Sequence, residues 1–128
     1  MKKELFIIDD DPIQRIIISK MVKLVDSSLE INQIGNGEKG LDKLEKIKNS
    51  NHPVILILDI NMPVLDGWGF LDKIEKANFY NLPQLFIYMV SSSTDEIDIV
   101  KAQRYSFVKR FLHKPLSKKD ISAIINLE

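Results

Sequence analysis

Short, unbroken apolar runs alternate along this chain with segments of helical period. Leu5-Phe6-Ile7-Ile8 reads as a strand and is closed by Asp9-Asp10-Asp11-Pro12. Ile13, Ile16, Ile17, Met21 and Leu24 then recur at the spacing of one helical face, with Pro12 suited to the first turn. Leu29 to Ile34 predicts a second strand stopped by Gly35-Asn36-Gly37, and Leu41, Leu44 and Ile47 mark a second helix. Val54-Ile55-Leu56-Ile57-Leu58 is apolar at every position, as suits a central parallel strand buried on both faces. The turn-rich loop Asn61 to Gly67 leads into a helix carrying Phe70, Leu71 and Ile74. After Pro83, Leu85 to Val90 predicts a fourth strand, followed by Ser91-Ser92-Ser93-Thr94. Ile97, Val100 and Ala102 line a fourth helix, Phe111 and Leu112 lie in a short fifth strand, and Ser117 caps a last helix with Ile121, Ile124 and Ile125. Five βα units in succession predict an α/β fold, a parallel sheet with helices on both faces.

Composition narrows the function. At 128 residues, one domain spanning 1–128 is expected. A 45% hydrophobic content beside 28% charged residues describes a globular protein with material for one core. The 18 basic and 18 acidic side chains cancel, so no overall field draws in nucleic acid or an anionic membrane. The absence of cysteine excludes disulfides, thiol catalysis and thiolate metal sites. No apolar run approaches bilayer length, and Met1 to Glu4 does not open a signal peptide, so a cytoplasmic location is expected.

Open parallel sheets hold their sites beyond the carboxyl ends of the strands. There this chain has Asp9-Asp10 after the first strand, Asp59 after the third, Ser91 after the fourth and Lys114 after the fifth. Carboxylates brought together repel, and a hard divalent cation such as Mg²⁺ relieves that with few protein oxygens. Lys114 is a compact cation for a phosphoryl oxygen, and the Ser91 hydroxyl can donate to another. Acid pair, acceptor, hydroxyl and lysine are the parts that phosphoryl transfer needs.

From end to end the chain resembles a response-regulator receiver of two-component signalling. The resemblance rests on Ile7-Ile8-Asp9-Asp10-Asp11, Leu58-Asp59-Ile60-Asn61-Met62-Pro63-Val64-Leu65-Asp66-Gly67, Met89-Val90-Ser91-Ser92 and Phe111-Leu112-His113-Lys114-Pro115-Leu116. It implies a doubly wound, flavodoxin-like (βα)5 sheet of order 2-1-3-4-5, in either a stand-alone receiver like the single-domain chemotaxis regulators or a piece of a larger protein. It further implies Asp59 as phosphoacceptor, with Asp10, Asp59 and the Asn61 backbone carbonyl as direct Mg²⁺ ligands and Asp9 acting through a metal-bound water. Mn²⁺ would substitute for Mg²⁺. Ser91 and Phe111 would form the switch pair, Lys114 would hold the phosphoryl group, and the Lys114–Pro115 peptide would be cis. The implied donor is a histidine kinase or a histidine phosphotransfer protein. The implied output is a downstream protein met by the surface of helix four, strand five and helix five, with no nucleic acid or membrane bound by this domain.

Taken singly, each signal has a plainer reading. Asp9-Asp10-Asp11 could be merely a helix cap, Asp66 is placed to cap the third helix, and Lys114 could be an ordinary surface lysine. Coincidence at four strand ends decides otherwise. A phosphohydrolase of the haloacid-dehalogenase type uses similar parts but needs a second acid two residues after its nucleophile, where this chain has Asn61. An interaction-only pseudo-receiver would not keep the full acidic set. His52 and His113 lack a second ligand at metal spacing. Trp68, Phe79, Tyr80 and Phe86 read as core or half-buried, and the basic residues Lys101, Arg104, Lys109, Arg110, Lys118 and Lys119 as a solvated or partner-facing surface. Two positions depart from the receiver pattern: Gln103 to Arg110 contains no glycine, and Gly69 stands early in the third helix.

Overall fold

In a computed structural model, which describes residues 3–49, 51–78, 84–92 and 96–128, strands and helices alternate along the whole chain. They are β1 (Glu4–Ile8), α1 (Pro12–Val25), β2 (Glu30–Ile34), α2 (Gly37–Ile47), β3 (Val54–Asp59), α3 (Gly67–Lys76), β4 (Leu85–Ser91), α4 (Glu96–Ala102), β5 (Val108–His113) and α5 (Lys118–Ile125). The expectations for Phe79, Tyr80, Pro83, Ser93 and Thr94 lie outside the described residues.

The strands form one parallel sheet in the order β2-β1-β3-β4-β5. Side chains alternate across a strand, so each strand feeds two cores. Phe6 and Ile8 join Leu56, Leu58, Leu44 and Phe70 under α2 and α3. Leu5 and Ile7 join Ile55, Ile57, Val22 and Ile124 under α1 and α5. Burial on both faces is why Leu5 to Ile8 of β1 and Val54 to Leu58 of β3 are apolar without interruption.

Local chemistry sets the helix starts. Asp11, Asn36, Asp66 and Ser117 each accept a backbone N–H of the first turn, and Ser117 with Asp120 completes a capping box.

Two expected helix faces are wrong. In α1 the buried residues are Ile18, Ser19 and Val22, while Ile13, Ile16, Ile17 and Leu24 are exposed and Met21 is half-buried. Apolar residues run around most of this helix, so two stripes compete at the same period, and Ile18, Val22 and Val25 form the one that meets the sheet. In α4 only Ala102 is buried; Ile97 and Val100 are 72% and 58% exposed. Tyr105 and Phe107, from the loop that follows, already pack on the core beside it. That loop needs no glycine, because none of its residues has a positive φ. It closes through short-range bonds, from Gln103 N–H to the Val100 carbonyl and from Tyr105 N–H to the Ala102 carbonyl. Gly69 leaves room for Leu65, whose Cδ1 would lie 2.7 Å from an added Cβ.

Candidate functional site

Strand register brings the expected residues to one edge. Ile8 lies opposite Leu58, Asp59 opposite Val90 and Ser91 opposite His113. Asp9 and Asp59 therefore sit level, with Ser91 one residue and Lys114 two residues further along, at the carboxyl ends of four neighbouring strands.

Asp9 is buried, and its Oδ1 accepts the Asp11 N–H at 2.9 Å while Asp11 caps α1. The acidic turn thus serves both readings: Asp11 is the helix cap, which leaves Asp9 and Asp10 for the site. Asp10 is exposed. Asp59, the last residue of β3, is 4% exposed. One oxygen from each of Asp9, Asp10 and Asp59 falls within 4.8 Å of the others. Lys114 reaches in from the end of β5, with Nζ 2.9 Å from Asp9 Oδ2 and 3.1 Å from Asp59 Oδ1. Its backbone N–H donates to the Ser91 carbonyl at 2.9 Å, extending the β4–β5 ladder by one step, and the Lys114–Pro115 peptide is cis.

Charge and burial act together here. Burial, with repulsion from Asp9, raises the Asp59 carboxyl from its usual range to about 6, although Lys114 opposes the rise. At Lys114 burial works against the ammonium, but the hydrogen bond to Asp9 and the charges of Asp59 and Asp9 outweigh it, so its pKa rises. One lysine faces three carboxylates, and the excess negative charge suits a hard cation. Oxygen donors few in number and open on one side fit Mg²⁺, which retains several waters.

The remaining expected residues are less central. Ser91 is fully buried at the end of β4. Asn61 is exposed in the loop that follows Asp59. Phe111 stands opposite Met89, half-buried against the core under α2 and α3, with its ring edge-on to His113 at 5.7 Å. His113 is exposed, and His52 pairs with Glu4 at 2.9 Å at the opposite end of the sheet.

Two contributors escaped the sequence reading. Arg15 donates from Nη1 to the Asp9 backbone carbonyl at 2.6 Å, bracing the acidic turn. Gly67 brings α3 against the acceptor strand: its N–H donates to the Ile60 carbonyl, and an added Cβ would lie 2.8 Å from the Asp59 carbonyl oxygen. The Asp66-Gly67 pair signalled a cap and a turn; only the fold shows that the glycine is required by close backbone approach.

The family model of the response regulator receiver domain matches residues 5–126. The chain belongs to this family. As a receiver it is 29% identical over 114 residues to protein-glutamate methylesterase/protein-glutamine glutaminase 1 of Syntrophomonas wolfei, covering 89% of this chain and 30% of that protein. It is 30% identical over 120 residues to the sensor histidine kinase CheAY of Helicobacter pylori, covering 92% of this chain and 14% of the kinase. The receiver thus spans less than a third of either curated relative. Among solved structures it is similar to a two-component response regulator from Cytophaga hutchinsonii, with a TM-score of 0.87, 26% identity and coverage of 98% and 96% of the two chains. The receiver is a signalling domain by family, and its five-stranded order is the flavodoxin-like one. Among the described residues no helix is long and apolar enough to cross a membrane.

Proposed function

We propose that this receiver takes a phosphoryl group from a kinase or phosphotransfer-protein phosphohistidine onto Asp59, in the cytoplasm, and relays it by repacking α4, β5 and α5 for a downstream protein. The observation that carries the proposal is Lys114 held between Asp9 and Asp59 at the edge where three carboxylates meet.

With a pKa of about 6, Asp59 is largely ionised at neutral pH and serves as a nucleophile. A carboxylate oxygen attacks phosphorus, the P–N bond to the donor imidazole breaks, and its electron pair returns to nitrogen, which takes a proton from water. The product is an acyl phosphate. Lys114 neutralises one phosphoryl oxygen, and the Ser91 hydroxyl donates to another. Asp10, Asp59 and the Asn61 carbonyl would hold Mg²⁺ or Mn²⁺, with Asp9 behind a bound water, and the ion would supply the remaining positive charge. In dephosphorylation water attacks phosphorus in the same pocket, the P–O bond to Asp59 breaks with its electron pair returning to the carboxylate, and inorganic phosphate leaves.

Incubation with acetyl phosphate and Mg²⁺, read by intact mass, tests this. The wild-type chain gains one phosphoryl group and Asp59→Asn gains none. Labelling that persists in Asp59→Asn places the acceptor elsewhere and ends the proposal. Asp10→Ala should abolish Mg²⁺ binding measured by calorimetry; unchanged affinity in the folded variant removes Asp10 from the ligand set.

A further inference from the structure

A second charged feature lies at the β2 edge of the sheet, outside the acidic pocket. A cavity of about 450 Å³ is lined by Arg15 of α1, Gly35 after β2, and Lys39, Asp42, Lys43 and Lys46 of α2. Four cations face one carboxylate there, in a chain whose charges cancel overall. Lys39, Lys43 and Lys46 follow the i, i+4, i+7 spacing of a single helical stripe. Like charges at that spacing destabilise a helix by a few tenths of a kcal/mol per pair. None of the three is ion-paired with a described carboxylate.

Arg15 links this cavity to the acidic turn. Its Nη1 grips the Asp9 carbonyl, yet its Nε is buried without a hydrogen-bond partner among the described residues. A guanidinium presents donors as a fork suited to phosphate, and a buried donor left unmade is costly. Gly35 admits this side chain closely: an added Cβ would meet Nη1 at 3.4 Å.

We propose that this basic cavity is a binding site for a small oligophosphate anion, with Arg15 as the link to Asp9. Size favours more than one phosphoryl group. Seven residues of helix separate Lys39 from Lys46, about 10 Å along the axis, longer than a single phosphate. The volume falls within the range of small-ligand sites, roughly 300–1,000 Å³. A bound anion competes for the Arg15 guanidinium that now braces the acidic turn. Occupancy therefore alters the setting of Asp9 without entering the acidic pocket. The site stands independently of phosphoryl transfer to Asp59.

The test is an NMR titration of the metal-free domain with inorganic tripolyphosphate, and separately with ATP, at constant ionic strength. Saturable shifts are expected at Gly35, Asn36 and the amides of residues 39–46, with a smaller response at Asp9 to Asp11. The double variant Lys39→Gln/Lys43→Gln should bind about tenfold more weakly, while acetyl phosphate labels its Asp59 as in the wild type. Equal affinity for the two ligands assigns recognition to the phosphates alone; tighter ATP binding adds contacts to the nucleoside. Either result supports the site. Shifts that do not saturate, that survive the double variant, or that centre on Lys114 overturn it.

Discussion

The Tyr105 hydroxyl donates to Asp72 Oδ1 at 2.7 Å, joining the loop before β5 to α3. The Tyr105 ring stacks on Trp68 with centroids 6.1 Å apart, and the Lys101 ammonium covers the same indole at 4.9 Å. Phe107 meets Tyr105 edge-on at 5.8 Å. α4 turns Ile97 and Val100 to solvent, so this aromatic cluster, with Ala102, is what docks it.

Tyr105→Phe keeps the ring and removes the tie. Burial and the bond to Asp72 raise the Tyr105 hydroxyl to about 12, so it remains a donor at every ordinary pH. The sign follows: this contribution is complete below the usual tyrosine value and fades only as pH climbs through about 12. The variant should lose roughly 0.5–1 kcal/mol, less than a buried bond to a charged group because solvent screens this exposed pair. Amide exchange should accelerate across α4 while α3 keeps its protection. Hydrogen-exchange mass spectrometry reads both, and unaltered protection of α4 would show that its docking does not depend on the Asp72 bond.

Asp59 should destabilise the metal-free domain at neutral pH. Its carboxyl is raised from 3.8 to about 6, so the folded state resists the charge that the unfolded chain accepts freely. Below about pH 4 both states hold the proton and nothing is lost; between about 4 and 6 the penalty grows, and above that it is complete. A shift near two units is worth about 3 kcal/mol, which solvent at the pocket mouth cuts to roughly 1–2. Asp59→Asn should therefore gain that much stability over wild type near pH 7.5, and little near pH 4. Urea denaturation at the two pH values, without divalent ions, decides it; a pH-independent difference would be fatal.

How much of this could be read beforehand differs by element. The strands were legible because double-sided burial leaves runs such as Val54 to Leu58 with no polar position. The site was legible because its chemistry sits where those runs stop, so finding Ile8, Leu58, Val90 and His113 located Asp9, Asp59, Ser91 and Lys114. The inward face of α1 was not, since Ile13, Ile17 and Leu24 repeat at the same period as Ile18, Val22 and Val25, and only docking on the sheet separates them. Arg15 escaped for a related reason. Its partner is a backbone carbonyl, and carbonyls leave no mark in the residue pattern.

Val64 stands at φ 68°, left-handed backbone that a β-branched side chain adopts only under strain, and it is 96% exposed. Nothing it buries offsets that cost. Asparagine tolerates the same conformation through its short polar side chain. Val64→Asn should stabilise the domain by about 0.5–1 kcal/mol, a rise of a few degrees in Tm. Thermal denaturation checks this, and a lower Tm would mean that the loop does not hold Val64 in that conformation.

Ser91 is buried at the end of β4, and Phe111 lies half-buried on β5 opposite Met89, two residues earlier on the strand. If Asp59 carries a phosphoryl group, the Ser91 hydroxyl turns to donate to it, space opens along β4, and Phe111 is the aromatic placed to fill it. Lys114 makes the second contact, and because its N–H is bonded to the Ser91 carbonyl, β4 and β5 respond together. The ligand must favour one state through contacts that it lacks in the other, and the Ser91 hydroxyl is such a contact. Inward movement of Phe111 disturbs the neighbouring Tyr105 and Phe107 packing, and with it α4. Ser91→Ala should still accept a phosphoryl group on Asp59, because the nucleophile and Lys114 remain. It should lose most of the difference between the free and beryllofluoride-bound forms at Phe111, Tyr105 and α4 in NMR spectra. Full wild-type shifts at those residues in the variant would mean that the signal leaves the pocket by a path that bypasses Ser91.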